Sequence, residues 1–518
     1  MNRTDREVGT SEITGLEALY FALIDSKVEM VTGVAGFPVT AVMEYFEKNL
    51  GSDIPTLWMT NEKVALEAAL GASVSGKRSL VLTKHVGMNV LSDPLVTAVT
   101  HTIGAGVVIV AGDDPGVRAS QNEQDSRWYG EVAEVAVFDP SGPDAAYGSL
   151  VRAFELSERT KTPVIVRITD RLEKATGPVT RSDDIKAETE ATFDRSIWKL
   201  TMRGKHQHFH INVQPLLVDE AESSSLNRSV RSGRSSKTDK VGIISSGYPS
   251  LLVDELLSER QLEVSHLSLN VVSPLPVRKL RDFISDHEKV LVIEESEAFI
   301  ESHISICENV LGKMSGHLPY GRIEKEQIGF AIENIDKDKV TEYTFIETIE
   351  ERGSRSLCED CLFLPVYRML HDLDIFIAGD MGCSIRSAPA PLEAVDVGFA
   401  LGAAISTAIG FDKKSVAVIG DFGLSHSGII GLINAVENER DVLVLVLDNR
   451  TAAMTGGQST PDLTDAVKAL CDDVTVFEFN DPEIAGSRIK ELESLVRNKL
   501  AVKGVSVIYV RAECVLYK

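Results

Sequence analysis

Short runs of Val, Ile and Leu alternate with longer stretches of helical apolar spacing along the first third of the chain. The runs at residues 29–34, 79–84, 106–111 and 163–168 read as buried strands, with residues 61–76 and 145–160 as helices between them. Near-continuous apolar strands separated by helices mean βαβ units and a parallel sheet covered on both faces. From about residue 203 to 239 the pattern dissolves. The stretch ESSSLNRSVRSGRSSKT there offers little to bury and reads as linker or exposed loop. Strands resume at 240–246 and 289–294, and a polar stretch over 334–355 follows. The last part returns to the βαβ style with strands at 374–379, 415–421, 441–448, 474–478 and 505–510. The expected architecture is α/β with three domains: residues 10–200, a linker over 201–239, a smaller segment over 240–345, and 355–518.

Composition narrows the class. A chain of 518 residues with 43% hydrophobic content has material for several soluble cores. A net charge of −24 argues against nucleic acid or an anionic membrane as the main partner. Any anionic ligand therefore needs local positive charge, a helix N-terminus or a bound cation. The polar opening MNRTDREVGTSE is no secretory leader and no long apolar span follows; six cysteines in so long a chain form no disulfide framework. A reducing cytoplasm is the expected location. Cys307, Cys471 and Cys514 read as scattered thiols, while Cys358, Cys361 and Cys383 stand in more suggestive contexts.

The strongest chemistry lies in SVAVIGDFGLSHSGIIGLINAVENERDVLVLVLDNRTAAMTGGQS. It reads as strand, glycine-rich turn, helix over 428–438, strand and turn. A right-handed crossover sets the two strand C-termini side by side, so Asp421 and Asn449 arrive at the edge where open α/β sheets bind ligands. Their oxygens suit a hard divalent cation such as magnesium. Gly423, Gly428, Gly456 and Gly457 let backbone N–H groups approach a phosphate. A magnesium-bridged diphosphate satisfies all of this. The plainer alternative, a Gly/Asp-rich turn in which Asp421 only caps a helix, explains either feature alone but not the pair.

Gly420-Asp421-Phe422-Gly423, followed one strand later by Asn449, resembles the magnesium–diphosphate motif of thiamine diphosphate enzymes. The continuation HSGIIGLINAV…LDNRTAAMTGGQ and the upstream AGDMGCSIRSAPAPLEAVDVGFALGAAI are similar to 2-oxoacid:ferredoxin oxidoreductases, most of all their indolepyruvate branch. The resemblance implies Asp421 and Asn449 as side-chain ligands of magnesium and Thr451 as a main-chain carbonyl ligand. Gly420, Phe422, Gly423 and Gly456 would line the cofactor, and Gly382, Cys383 and Ser384 would fall on a loop that meets it. NEKVALEAALGASVSG, LTKHVGMNVLSDPL and AGDDPGVRASQNEQDSRWYG match the family's pyrimidine-binding domain. Glu62 takes the position of the glutamate that hydrogen-bonds the aminopyrimidine ring and activates the cofactor. The bland alternative makes Glu62 a helix cap. Lys84 and His85, at a strand end, are candidates to bind or protonate substrate; strand ends also collect solvated charges. GIISSGYPSLLVDELLS through KVLVIEESEAFIESHI resembles the accessory, transketolase C-terminal-like domain, so the implied fold is two cofactor-binding parallel-sheet domains flanking a smaller α/β one.

Four departures temper the implied activity. The family's large subunits continue into a ferredoxin-like segment with two cysteine clusters, whereas this sequence stops at Lys518, and six dispersed cysteines cannot ligate two clusters. The expectation is a chain without an iron–sulfur cluster, served by a smaller beta-type subunit and a separate ferredoxin-like protein, and itself paired as a homodimer. The family's Cys-Pro-Gly-Cys-Pro loop reads CEDCL, with Cys358 and Cys361 in place but Glu359 and Asp360 between them. The substrate loop reads VAGFPVT, where Phe37 replaces a threonine. HQHFH, with His206, His208 and His210, invites a metal reading, but alternation along one strand face is the commoner explanation. The leading function is oxidative decarboxylation of a 2-oxoacid, indolepyruvate or another aryl pyruvate, to an acyl-coenzyme A with ferredoxin reduction. A non-oxidative decarboxylase and a weakened, regulatory cofactor-binding subunit are the alternatives.

Overall fold

Seven strands organise the first half of the molecule, in the spatial order Val271–Ser273, Val137–Phe138, Val164–Thr169, Val107–Asp113, Ser79–Lys84, Met30–Gly33, Thr56–Trp58. All neighbours are parallel except the Val271–Ser273 edge, which runs antiparallel. Every residue of Val107–Asp113 and of Val164–Thr169 is buried. Helices cover both faces, and for that reason these strands show no period-two alternation in the sequence. The computed structural model describes residues 11–181, 192–230, 239–338, 357–479 and 482–517. The chain divides into two compact units, Met1–Ile346 and Glu347–Lys518.

Within the first unit a second sheet, ordered Val310–Leu311, His287–Ile293, Asp239–Ser246, Ser265–Leu269, Arg228–Val230, forms the smaller segment. The two segments share a core: Val271, Val272 and Leu275 pack in one cluster with Val137 and Phe138. Buried charge crosses the same boundary. Arg127 pairs with Asp125 at 2.5 Å and with Glu294 at 2.6 Å, and Arg167 with Asp113 at 2.6 Å and Asp139 at 3.0 Å.

The linker reading of 201–239 is corrected over much of its length. Met202–His208, Phe209–Val213 and Gln214–Ser223 are helical, and Arg228–Val230 pairs antiparallel with Ser265–Leu269. The cause is a stripe four residues apart: Lys205, Phe209, Val213, Leu217 and Ala221 are all buried. HQHFH therefore lies on a helix and not on a strand. His206 and His210 come together, Nε2 to Nε2 at 3.2 Å, while His208 turns to Asn212. Among the described residues no group of three or more His, Cys, Asp or Glu side chains could hold a metal ion. Residues 231–238 of the Ser/Arg-rich stretch, most of the polar stretch over 334–355, the opening residues 1–10 and Lys518 lie outside the described residues.

The second unit holds a five-stranded, fully parallel sheet ordered Ile377–Gly379, Ser415–Gly420, Val442–Asp448, Val505–Arg511, Val474–Glu478. The strand expected over 415–421 ends at Gly420, and the chain enters a helical turn at once through Asp421–Gly423 and Leu424–Gly428 into Ile429–Glu437. Among the described residues no helix is long and apolar enough to cross a membrane.

Candidate active site

Register decides where the second unit's site residues fall. Gly379 aligns with Val418, and Gly420 with Leu447, so Asp380, Asp421 and Asn449 all leave neighbouring strands at the C-terminal edge. The expected meeting of Asp421 and Asn449 at one edge is what the parallel ladder produces. Asp421 is buried; its Oδ1 accepts the Phe422 N–H at 2.9 Å, and its Oδ2 has no hydrogen-bond partner. Burial, then the charge of Asp448, pushes its carboxyl up to about 7, against the pull of the Phe422 and Arg450 backbone N–H groups. Gly420 precedes the helical turn and Asp421 is the turn's first residue, so its side chain is not the helix cap.

Asn449 opens a tight turn in which its Oδ1 accepts the Thr451 N–H at 3.1 Å and Arg450 adopts φ 61°. Thr451–Ala452 then pairs with Gln458–Ser459 in a two-stranded ribbon. Gly456 and Gly457 close it at φ 114° and 85°, a left-handed stretch that side chains rarely adopt. Positive charge sits beside this turn. Asp448 is flanked by Arg450 at 3.0 Å and Arg511 at 2.9 Å, and Arg450 also reaches Asp462 at 2.7 Å. A narrow cleft lined by Asp421, Asp448, Arg450, Asp462 and Tyr509 opens here. A roomier cavity of about 820 Å³, lined by Asp374, Phe376, Phe411 and Lys413, lies at the strands' opposite ends. Open α/β sheets bind ligands at the C-terminal edge, where the narrow cleft lies and the larger cavity does not.

An oxygen-rich, buried and under-neutralised corner is what a hard divalent cation fits. Asp421 Oδ2 lacks a donor, its acid is held far above the carboxylate range, and Asn449 and Thr451 add amide and carbonyl oxygens. Gly382, Cys383 and Ser384 follow the first strand of the same sheet. A Cβ on Gly382 would meet nothing, whereas Ser384 is occupied: its hydroxyl donates to Asp380 O at 2.7 Å and accepts the Asp380 N–H at 3.0 Å.

In the first unit, Asn61 and not Glu62 caps the helix Glu62–Val74, accepting the Lys63 N–H at 2.9 Å. Glu62 is buried and reaches across to the next helix. A Cβ on Gly87 would lie 2.2 Å from Thr83 Oγ1 and 2.7 Å from Glu62 Oε1. Lys84 donates to Ser120 Oγ at 3.1 Å; burial pulls its pKa down, while Asp114 and Glu62 hold it up. A Cβ on Gly36 would lie 2.6 Å from Lys84 Cδ, which brings the half-buried Phe37 loop onto the lysine stem. His85 is fully buried, with Nε2 3.1 Å from the Asn122 carbonyl and Nδ1 without a partner. A carbonyl only accepts, so Nε2 carries the hydrogen and Nδ1 is left as a free lone pair. Burial lowers its pKa, chiefly against Asp113, and favours that neutral form.

Both halves match known proteins. Residues 32–192 match the family "Pyruvate flavodoxin/ferredoxin oxidoreductase, thiamine diP-bdg", and 393–508 match "Thiamine pyrophosphate enzyme, C-terminal TPP binding domain". Subunit IorA of indolepyruvate oxidoreductase from Archaeoglobus fulgidus is 30% identical over 97% of this chain and 86% of its own length. The Thermococcus kodakarensis IorA is 31% identical over 98% and 86%. The chain belongs to the IorA family. It is a thiamine diphosphate-dependent 2-oxoacid:ferredoxin oxidoreductase. A 2-oxoglutarate:ferredoxin oxidoreductase from Magnetococcus marinus shares the fold, with a TM-score of 0.51 at 17% identity over 63% of this chain and 65% of that one.

Several features of this IorA-family chain escaped the sequence. Asp380, Gly87, Thr83 and Ser120 lie within the stretches that carry the family resemblance, but no signal in the sequence marks them individually, and only the fold places them beside the candidate site residues. Burial pushes the Cys383 thiol up to about 12, and Cys361, Cys514 and Cys358 stand close enough for their charges to add to it. Cys361 in turn feels Cys358 and Cys514. Each of these thiols therefore lies within electrostatic reach of Cys383.

Proposed function

We propose that this chain seats thiamine diphosphate through magnesium held by Asp421, Asn449 and the Thr451 main-chain carbonyl. On this reading it oxidatively decarboxylates a 2-oxoacid of the aryl pyruvate type, such as indolepyruvate. One 2-oxoacid and one coenzyme A give an acyl-coenzyme A, carbon dioxide and a proton, and two electrons pass to ferredoxin. The cofactor, when bound, supplies the carbanion chemistry that lets the bond to the carboxylate break. Glu62, buried at its helix start, holds the proton that activates the aminopyrimidine ring. His85, with a lone pair at Nδ1, and Lys84, restrained by Ser120, orient the substrate and move its proton. Gly382, Cys383, Gly420, Phe422, Gly423 and Gly456 border the cofactor, and Ser384 braces that border from behind.

The supporting observation is the buried Asp421 oxygen without a partner at the strand end next to Asn449. Purified protein is expected to bind thiamine diphosphate with magnesium present and not with chelator. Asp421→Ala should remove that binding in calorimetry; unchanged affinity would dismiss the site. Residues 10–200 and 355–518 would be the pyrimidine- and diphosphate-binding domains and 240–345 the accessory one, with 201–239 joining them. The name IorA designates a subunit, so a smaller beta-type subunit, a ferredoxin-like acceptor and a paired copy of this chain in the cytoplasm complete the proposal.

A further inference from the structure

Asp380 stands one residue past the strand Ile377–Gly379, on the same sheet edge as Asp421, and is about 1% exposed. Its Oδ1 accepts two backbone N–H groups, from Met381 at 2.8 Å and from Gly402 at 2.6 Å. Its Oδ2 has no hydrogen-bond partner and presses on Gly423, where a Cβ would come within 1.8 Å of it. Gly402, at φ 84°, closes the triangle: a Cβ there would lie 2.8 Å from Gly423 O and 2.9 Å from Gly428 N. The Asp380 backbone is itself clamped to Ser384, so one residue ties together the Gly382–Ser384 loop through its main chain and the Gly402 bend and Gly420–Gly423 turn through its carboxylate.

We infer that Asp380 is a positioning residue, whose carboxylate locks Gly402 and Gly423 together and so fixes the turn that carries Asp421. The inference rests on the cofactor reading of Asp421. Asp380 touches neither metal nor cofactor in this role; it acts through backbone. Gly423 is small because Asp380 occupies the space its side chain would need. Two N–H bonds to a buried carboxylate are the strong, charge-assisted kind, so the lock is stiff. Its effect belongs in how well the turn is pre-arranged for a cation, not in whether the sheet folds.

The test measures thiamine diphosphate affinity and the half-saturating magnesium concentration by calorimetry on the full chain, alongside melting temperature. Asp380→Asn keeps an acceptor for Gly402 and Met381 but sets an amide against Gly423. Its half-saturating magnesium is expected to rise about tenfold, the size expected when two charge-assisted bonds become neutral ones, with melting within a few degrees of wild type. Gly423→Ala leaves Asp380 intact, forces the same contact apart and should show the same shift. Asp380→Ala should be worse than either. Binding within twofold of wild type in both Asp380→Asn and Gly423→Ala would overturn the inference. So would losses that follow melting temperature alone, which mark a purely structural residue. Should Asp380→Asn not fold, Gly423→Ala decides. Failure of the wild-type chain to bind thiamine diphosphate would overturn the cofactor reading first and this inference with it.

Discussion

Two buried charge clusters, one in each unit, are built to opposite rules. In the first unit Arg127 and Arg167 share Asp113, Asp125, Asp139 and Glu294, with ion pairs of 2.5 to 3.0 Å. Charge and hydrogen bonding from Arg127 hold Asp125 below the usual carboxylate range despite its burial. In the second unit Asp421 and Asp380 are also buried, but neither forms an ion pair among the described residues; each keeps an unpartnered Oδ2, as arginine-paired Asp139 does, and burial drives them up to about 7 and about 6. A buried carboxylate matched by arginine within the chain is structure; Asp421, unmatched at a sheet's C-terminal edge, is open to a ligand, while Asp380 beside it is turned to the backbone. The difference separates the joint of the first unit from the proposed cofactor seat of the second, although both are rich in buried acids.

The largest effect should come from an acid that belongs to neither class. Glu62 is buried against Gly87, and the proposed function gives it the cofactor's aminopyrimidine ring. Glu62→Gln should leave thiamine diphosphate bound while turnover falls about 10²–10⁴-fold, the span of a lost acid–base group. Hydrogen–deuterium exchange at the thiazolium carbon reads the step directly, and exchange at the wild-type rate would make Glu62 structural. Next comes the matched cluster. Arg127→Met strands Asp125 and Glu294 without a cation and should cost about 3–5 kcal/mol in denaturant unfolding. The unmatched cluster should answer with the opposite sign. Asp421→Asn removes a buried charge that nothing neutralises, so cofactor-free protein should gain about 1 kcal/mol. With magnesium and thiamine diphosphate present, the wild type should be the more stable of the two.

Much of this was legible before the fold was known, and what was missed has physical reasons. The parallel sheets were visible because strands buried on both faces read as unbroken Val, Ile and Leu runs, and Ser79–Lys84 and Val442–Asp448 fall where those runs stand. Asp421 and Asn449 were legible because a right-handed crossover fixes where consecutive strand ends go. Asp380 was not, since its partners are backbone groups at Gly402 and Gly423, which carry no side-chain signature. The helical stretch Met202–Ser223 was hidden by its own composition. One buried position in four, set among histidines and serines, is a stripe too narrow to stand out from a polar linker.

The smallest effect tests whether an unmatched buried acid must always be a ligand site. Glu173 lies in the first unit, buried, with Oε1 unpartnered, and burial followed by the charge of Asp170 pushes it up to about 8. It follows the strand Val164–Thr169, in the short helix Asp170–Lys174, against the backbone on which Gly15 packs. No amide or carbonyl turn like Asn449–Thr451 accompanies it, so it is expected to be a local liability. The sign follows from proton counts. Between the unfolded value near 4.5 and the folded value near 8, the native state binds more protons than the unfolded one. Stability from this group therefore falls as pH rises through that window. Melting temperature measured from pH 5 to pH 8 should decline, and Glu173→Gln, which stays neutral throughout, should flatten the decline. A slope unchanged in Glu173→Gln would mean that Glu173 is ionised in the native protein. It would then need a counter-charge, and the contrast between matched and unmatched acids would lose its simplest form.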